Sequence, residues 1–133
     1  MTPLGLPDEL PTSVREAVET ALAPGASADD LELDSGGIGY APKALGAVLW
    51  ASCHPESVEE GLLAIVNADG DTDSNAAPAG AALGARFGIG GIPEGWRACV
   101  AEIRAWEAPV DGWIERRPLE EYADRLLALA EAS

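Results

Sequence analysis

Apolar residues recur with a helical period in six stretches of the chain, and strand-like alternation of apolar and polar residues is absent. Because a helix brings every third or fourth residue back to the same face, this pattern predicts six helices. In chain order the stretches are VREAVETALA, KALGAVLWASC, VEEGLLAIVNA, AAPAGAALGARFG, EGWRACVAEIRAW and LEEYADRLLALAEA. The pattern therefore predicts an all-α fold, a compact bundle of several helices.

Residues that favour caps and turns set the expected ends of two helices. Thr12 or Ser13 suits the N-terminal cap of the first helix, and Pro24-Gly25 should stop it. Residues 24–39 combine turn formers, acidic residues and glycines, so we expect a loop there. Because Pro78 is tolerated only in the first turn of a helix, the fourth helix should begin near residues 73–75.

Five of the six predicted helices have an assigned face through which they would pack. Helical spacing assigns these faces to Val14, Val18 and Leu22; Leu45, Val48, Leu49 and Ser52; Ala76, Gly80 and Gly84; Trp96, Cys99, Val100 and Ile103; and Tyr122, Leu126 and Leu129. The small residues of the fourth helix predict a close approach to a neighbouring helix. We expect the tryptophans to anchor a core or an interface rather than to stack on an adenine: Trp50, Trp96, Trp106 and Trp113.

The chain is strongly acidic, with a net charge of -15 over 133 residues. Nucleic acids and anionic membranes bind proteins mainly through Lys and Arg, so neither is an expected partner. This length fits a single domain spanning residues 1–133. No apolar run reaches the roughly 18 residues that span a bilayer, and the first residues do not resemble a signal peptide, so we expect a cytoplasmic protein.

Few residues suit nucleophilic or thiol chemistry. Cys53 and Cys99 are expected to be free and buried rather than joined in a disulfide. The single histidine, His54, precedes Pro55 at the end of a predicted helix, where capping is the expected role. With one imidazole and no serine partner nearby, a Ser-His-Asp arrangement has little support.

Acidic residues are concentrated between the third and fourth predicted helices. Asp69, Asp71 and Asp73 stand two apart, and three like charges so close repel one another unless a cation neutralises them. Carboxylates are hard oxygen ligands that suit Mg²⁺, Ca²⁺ or Mn²⁺. The alternative is a solvated loop with an acidic helix cap. An EF-hand is excluded, since a loop opening at Asp69 would place Ser74 and Gly80 where glycine and glutamate are required.

The acidic stretch is part of a longer resemblance. NADGDTDSNAAPAGAALGARFGIGGIPEGW resembles the C-terminal signature of the ADP-ribosylglycohydrolases, in which Asn-x-Gly-Gly-Asp-Thr-Asp-Thr precedes an Ala/Gly-rich helix and Ile-Pro-x-x-Trp. Upstream, GGIGYAPKALGAVLWASCHPESVEEGLLAIVNA is similar to the glycine-rich loop and helices of the same family. Together they cover about residues 36–97. The resemblance implies the C-terminal half of that all-α fold and Mg²⁺-dependent hydrolysis of the glycosidic bond between ADP-ribose and a protein side chain.

The resemblance also implies site residues. Asp71, Asp73 and Ser74 match the ligands of a pair of Mg²⁺ ions, with serine keeping the hydroxyl of the family's threonine. Asp69 stands where the family has glycine, which adds charge beside the site. The loop that holds the phosphates and ribose of ADP-ribose is matched by Gly37, Ile38, Gly39 and Tyr40.

Family members are longer, and their N-terminal half supplies further metal ligands. The stretch DDLELD, with Asp29, Asp30 and Asp34, is acidic but lacks the family's pattern. We therefore expect the missing ligands to come from an identical subunit or from a separate N-terminal polypeptide. The alternative is a non-catalytic relic, or a module that binds ADP-ribose, a cation or another protein.

Overall fold

The computed structural model describes residues 9–37, 39–102 and 119–131. Within these ranges the regular structure is helical and contains no strand, so the all-α prediction is confirmed. The helices are α1 (Thr12–Ala21), α2 (Ala41–Cys53), α3 (Val58–Asn67), α4 (Thr72–Phe87), α5 (Glu94–Glu102) and α6 (Leu119–Glu131). Two short 3₁₀ turns lie at Asp29–Leu31 and Ile89–Gly91.

The chain divides into two compact units, Met1–Val100 and Ala101–Ser133. The first contains α1 to α4 and most of α5, and the second contains α6. Whether the chain acts as one domain stays a prediction. None of the described helices has the length and apolar character needed to cross a bilayer.

The core of the first unit lies where α2, α3 and α4 meet. α4 packs against both α2 and α3, while α2 also packs against α1. The buried apolar residues of this core are Ala21, Ala28, Leu31, Leu33, Ala47, Trp50, Ala51, Val58, Ile65, Ala79 and Leu83. Six of these eleven are larger than alanine, and the alanines let the helix backbones approach one another.

The buried face of α2 differs from the one predicted. It consists of Gly46, Ala47, Trp50 and Ala51. The predicted face is half-buried or, at its last residue, exposed: Leu45, Val48, Leu49 and Ser52. The reason is that α2 is packed from two sides, by α1 and α4, so small residues occupy the tightest positions and larger ones flank them.

The packing face of α4 also differs. Its buried residues are Asn75, Ala79 and Leu83, while the predicted face is only half-buried: Ala76, Gly80 and Gly84. The close helix contact lies instead at Gly61 of α3. An added Cβ there would be 2.8 Å from Leu83 Cδ2 and 2.8 Å from Pro55 Cγ. A small residue does permit a close approach between α3 and α4, but that residue is Gly61 of α3 and not one of the residues predicted in α4.

Two predicted helix starts were wrong. Pro11, not Thr12 or Ser13, caps α1, and no side chain bonds to the cap. α4 begins at Thr72, so Pro78 lies beyond its first turn. Proline has no N–H to donate to the carbonyl of residue 74, and the remaining helical bonds and the packing of α4 outweigh that loss.

The face predicted for α5 is largely exposed. Trp96 packs against the core, but Cys99 and Val100 are exposed, and Ile103 lies outside the described residues, as do Trp106 and Trp113. Cys53 and Cys99 are free, as predicted, but both are exposed rather than buried. In α6, Tyr122, Leu126 and Leu129 are exposed.

The segment before α2 is a loop with a 3₁₀ turn, and it packs against the core through buried side chains and hydrogen bonds. Ala28, Leu31 and Leu33 are buried. The indole N–H of Trp50 donates to Ala26 O at 2.7 Å, which confirms a core role for this tryptophan. The Lys43 ammonium donates to Leu31 O at 3.0 Å, Glu32 O at 2.7 Å and Ser35 Oγ at 3.0 Å. These bonds satisfy the carbonyls at the end of the turn.

His54 is the C-terminal cap residue of α2. Its Nε2 lies 2.9 Å from Ala21 O, at the end of α1, and its ring stacks on Trp50 with centroids 6.0 Å apart. The histidine therefore ties the ends of two helices together, which agrees with the predicted structural role.

Candidate functional site

The turn between α3 and α4 is shaped by two residues with left-handed backbone. Asp69 has φ of 60° and Gly70 has φ of 75°. A Cβ on Gly70 would overlap the carbonyl oxygen of Leu33 and would be 2.7 Å from its carbonyl carbon. The turn therefore lies directly on the backbone of the loop that precedes α2, and only glycine fits there.

Asp71 follows this turn as the N-terminal cap residue of α4. Its Oδ2 accepts a hydrogen bond of 2.6 Å from the N–H of Gly39, which stands 32 positions earlier in the chain. Its backbone oxygen accepts from Asn75 N at 3.0 Å. The bond from Gly39 joins the glycine-rich loop to the acidic stretch, the two parts of the sequence for which a site was predicted.

The surroundings of Asp71 favour its ionised form. The Ser74 side chain is the main cause that lowers the pKa of the Asp71 carboxyl below its usual range. Partial desolvation acts in the opposite direction, and the Asp73 side chain and the N–H groups of Gly39 and Ser74 lower the pKa further. Asp71 is half-buried, whereas Asp73 and Ser74 are exposed. Two of the residues predicted as metal ligands, Asp73 and Ser74, therefore neighbour the carboxylate of the third, Asp71, at the positive end of α4.

The ligand atoms available here are of the type that a hard cation prefers, but they are too few to complete its coordination shell. Asp71, Asp73 and Ser74 offer two carboxylates and a hydroxyl, all oxygen donors of the type that Mg²⁺ prefers. Among the residues that the structure describes, no group of three or more His, Cys, Asp or Glu side chains is arranged to hold a metal ion. A full octahedral shell of six ligands therefore needs oxygens beyond these three.

The structure places only part of the loop predicted to hold ADP-ribose next to Asp71. Gly39 contacts Asp71, and Gly37 is exposed in the same loop. Tyr40 is the N-terminal cap residue of α2, with 47% of its surface exposed. It lines a cavity of about 340 Å³ between α1, the first 3₁₀ turn and α2. Ile38 lies outside the described residues.

Asp69 lines a second, acidic cavity. This cavity has a volume of about 290 Å³, and its lining includes three further carboxylates, those of Asp29, Glu32 and Asp34. The sequence showed these acids in two separate stretches. The close contact between Gly70 and Leu33 brings them together, and a single sequence holds no local signal for that contact.

Asn75 was missed as a residue of interest. It lies one turn into α4 and is 3% exposed, and within the described part of the chain its Nδ2 has no hydrogen-bond partner. A buried donor without a partner costs about 1–3 kcal/mol. In the sequence, Asn75 stands at helical spacing from Ala79 and Leu83, and this spacing could have indicated that all three share one buried face of α4.

Comparison with known proteins identifies a family that matches most of the chain and a relative that matches part of it. The family model described as ADP-ribosylglycohydrolase matches residues 4–133. The ADP-ribosylarginine hydrolase Tri1 of Pseudomonas putida (strain GB-1) is 33% identical over 89 residues, which cover 67% of this chain and 24% of that protein. The chain thus spans about a quarter of the length of this relative. No solved structure matches the chain significantly.

Proposed function

Since the chain belongs to the ADP-ribosylglycohydrolase family, we propose that it takes part in Mg²⁺-dependent hydrolysis of the glycosidic bond between ADP-ribose and a protein side chain. The observation that carries this proposal is the 2.6 Å hydrogen bond from Gly39 N to Asp71 Oδ2. It joins the loop expected to hold ADP-ribose to the residues expected to hold the metal. A solvated acidic loop would not require that junction.

Asp71, Asp73 and Ser74 would hold the cation. The neighbours of Asp71, chiefly the Ser74 side chain, lower the pKa of its carboxyl, and an aspartate is in any case ionised at neutral pH, as a cation ligand must be. When bound, Mg²⁺ would orient the ribose and stabilise the negative charge that develops as the glycosidic bond breaks. The positive end of α4 favours the carboxylates before a cation arrives.

The loop with Gly37, Ile38, Gly39 and Tyr40 would hold the ADP-ribose. Glycines expose backbone N–H groups, and these can bind phosphate oxygens without basic side chains. This suits a chain whose net charge is -15. The exposed ring of Tyr40 would offer an apolar surface to the ribose or the base.

The remaining metal ligands would come from a second polypeptide. Two carboxylates and a hydroxyl leave about half of an octahedral shell to water or to another chain. An identical subunit and a separate N-terminal polypeptide are the two candidates. A second Mg²⁺ would need these added ligands. We propose that the completed enzyme acts in the cytoplasm.

The substrate linkage to test first is arginine. The relative from Pseudomonas putida is an ADP-ribosylarginine hydrolase. A protein ADP-ribosylated on arginine is therefore the first substrate, with a serine-linked substrate as the comparison.

The test is isothermal titration with ADP-ribose, with and without Mg²⁺, followed by an assay for release of ADP-ribose. We expect Mg²⁺-dependent binding by the wild type and its loss in Asp71→Ala/Asp73→Ala. Glu19→Ala/Glu59→Ala is the matched control, since it removes the same charge from exposed helix positions. The control should bind like the wild type.

The competing function is a non-catalytic module that binds ADP-ribose or a cation. The incomplete donor set of the described residues favours it. Binding without any release of ADP-ribose, in the isolated chain and after addition of candidate completing chains, would support this alternative. Absence of binding by folded wild-type protein, both alone and with the candidate completing chains, would refute both functions.

A further inference from the structure

The outer face of α4 is apolar although it is exposed. From residue 76 to residue 85 the helix contains only alanine, glycine, proline and leucine. Ala79 and Leu83 are buried against the core, whereas Ala77, Ala81 and Ala85 are exposed on the opposite side. A surface helix normally carries polar side chains on its outer face, and a helix that is apolar all round is typically buried. The outer face of α4 therefore has the composition of a contact surface.

The neighbouring helix α3 extends this apolar face. Gly80 of α4 lies beside Leu62 of α3, since an added Cβ on Gly80 would be 3.5 Å from Leu62 Cδ1. Val66 follows Leu62 by one helical turn and is 38% exposed. These two side chains add larger apolar groups beside the small alanines. We define the α3–α4 face as the surface formed by Leu62, Val66, Ala77, Ala81 and Ala85.

We propose that the α3–α4 face is the contact surface between two copies of this chain, with the two α4 helices antiparallel. A two-fold contact needs a surface that is complementary to itself. The exposed alanines of α4 recur every four residues, so a two-fold axis at Ala81 would place Ala77 of each copy opposite Ala85 of the other. Small side chains here let the two helices approach closely. The proposal goes beyond the proposed function, and it selects the identical subunit among the two completing chains considered there.

The charges at the ends of α4 favour this arrangement. Asp71 and Asp73 stand at the N-terminal end, and Arg86 stands in the last turn, where its Cζ lies 4.7 Å from the centroid of the Phe87 ring. Antiparallel pairing brings the acidic end of each α4 next to the basic end of the other and opposes the two helix dipoles. Residues 76–85, between these ends, carry no charge. The complementary ends offset part of the repulsion between two chains that each have a net charge of -15.

The size of the α3–α4 face predicts a weak dimer. α4 has 16 residues and α3 has 10, which makes them about 24 Å and about 15 Å long. If each helix presents a strip about 10 Å wide, the face covers roughly 400 Å² on each copy and roughly 800 Å² on both. Contacts below about 1,200 Å² belong to weak and transient complexes. We therefore expect a reversible dimer whose population rises with protein concentration.

The first experiment is analytical ultracentrifugation of the full chain from about 5 µM to about 500 µM, a range chosen for weak association. Wild type is compared with Ala81→Glu, after circular dichroism shows that both are folded. We expect the dimer dissociation constant of Ala81→Glu to rise at least about tenfold, because the two added carboxylates would face each other across the two-fold axis. Ala98→Glu is the matched control, since Ala98 is an exposed alanine of α5. It adds the same charge and should dimerise like the wild type.

A competing contact surface lies on α6, where Leu126 is 66% exposed. Leu126→Glu is therefore measured in the same way. A dimer that is lost in Leu126→Glu and kept in Ala81→Glu would overturn the proposal, and so would equal weakening by Ala81→Glu and Ala98→Glu. A wild type that stays monomeric at every concentration would also overturn it, and would leave the α3–α4 face to a different chain.

The second experiment tests the orientation of the two helices. Single cysteines are placed in a Cys53→Ser/Cys99→Ser background, because both native thiols are exposed. On mild oxidation we expect Ala81→Cys to crosslink with itself, and Ala77→Cys to crosslink with Ala85→Cys in preference to itself. Equal self-crosslinking of all three variants would indicate parallel helices and overturn the proposed arrangement. Dimerisation without release of ADP-ribose would refute the proposed function alone.

Discussion

Among the described glycines, Gly70 leaves the least space for a side chain. It combines φ of 75° with a backbone contact to Leu33 that leaves no space for a side chain. Backbone atoms cannot move aside as the end of a flexible side chain can. This residue therefore fixes the turn before Asp71 against the loop before α2, and with it the relation between the two parts of the site.

Gly70→Ala should lower the free energy of unfolding by more than about 2 kcal/mol, because left-handed strain and a backbone collision act together. Urea unfolding followed by circular dichroism measures the change. Gly36→Ala is the control: it shares the left-handed backbone but has no neighbour within 4 Å, so only the strain of about 1 kcal/mol remains. Equal losses in the two variants would show that the contact with Leu33 does not constrain the turn.

Trp50→Phe should destabilise the protein by about 1–3 kcal/mol, because it leaves the partly buried carbonyl of Ala26 without its donor and removes part of a buried ring. Chemical denaturation measures the loss. Trp96→Phe is the comparison, since Trp96 is only partly buried against the core and should cost less. A smaller loss at Trp50 than at Trp96 would contradict the role of the indole bond in fastening the loop.

At the scale of helices, the contact between α3 and α4 depends on Gly61. An added Cβ would be 2.8 Å from both Leu83 Cδ2 and Pro55 Cγ, and both of those residues are fully buried. An added Cβ would therefore force these buried side chains to shift. The separation of the two helices is therefore set at this residue.

Gly61→Ala should destabilise the protein by about 1–3 kcal/mol through overpacking, despite the better helix propensity of alanine. Gly84→Ala in α4 should do the reverse and stabilise it by up to about 1 kcal/mol, because nothing lies within 4 Å of the added Cβ. Thermal unfolding of both variants checks the signs. Stabilisation in both would mean that α3 and α4 are not held as closely as described.

The sequence predicted which segments are helices better than it predicted which face each helix buries. Helical period is a local property, so α2 and α4 were recognised. Their buried faces were misplaced because alanine has a weak hydrophobic signal: Ala47 and Ala79 are fully buried where closely packed helices leave little space.

The same limit applies to the candidate site. The signature indicated Asp71, Asp73 and Ser74, which stand at the N-terminal end of α4, and their role as metal ligands stays a prediction. The bond from Gly39 to Asp71 and the contact of Gly70 with Leu33 depend on how distant segments pack. A local pattern holds no information about such contacts, so neither could be predicted from one sequence.

At the scale of the whole molecule, acid should affect stability through a few specific carboxyls as well as through net charge. The backbone and side chain of Ser27 lower the pKa of Asp30, donating to its Oδ2 at 2.7 and 2.8 Å. The pKa of Asp71 is lowered chiefly by the Ser74 side chain. In both, the fold favours the ionised form. Their stabilisation is fully present above the ordinary aspartate pKa of about 3.9 and is lost as pH falls through the lower folded value.

Asp30→Asn should therefore lose less stability than the wild type as the pH falls below about 4, because one acid-sensitive contribution is removed. Comparing the two proteins at each pH cancels most of the change in overall repulsion among the carboxylates, which protonation relieves. Urea unfolding from pH 6 to pH 3 gives the comparison. Asp29→Asn serves as the control at an exposed neighbouring position. Parallel curves for Asp30→Asn and the wild type would contradict the assignment.

The hydrogen bond between Gly39 and Asp71 also bears on the order of events in folding. It joins residues 32 positions apart, on either side of α2 and α3. Single helices form within about a microsecond, but closing a long loop costs chain entropy that only later contacts repay. Peptides covering either half of the site would form helical turns without forming the site. In a refolding chain the Gly39 amide should become protected late. The fraction of molecules in which this amide is protected would therefore measure the native population and not the partly folded one.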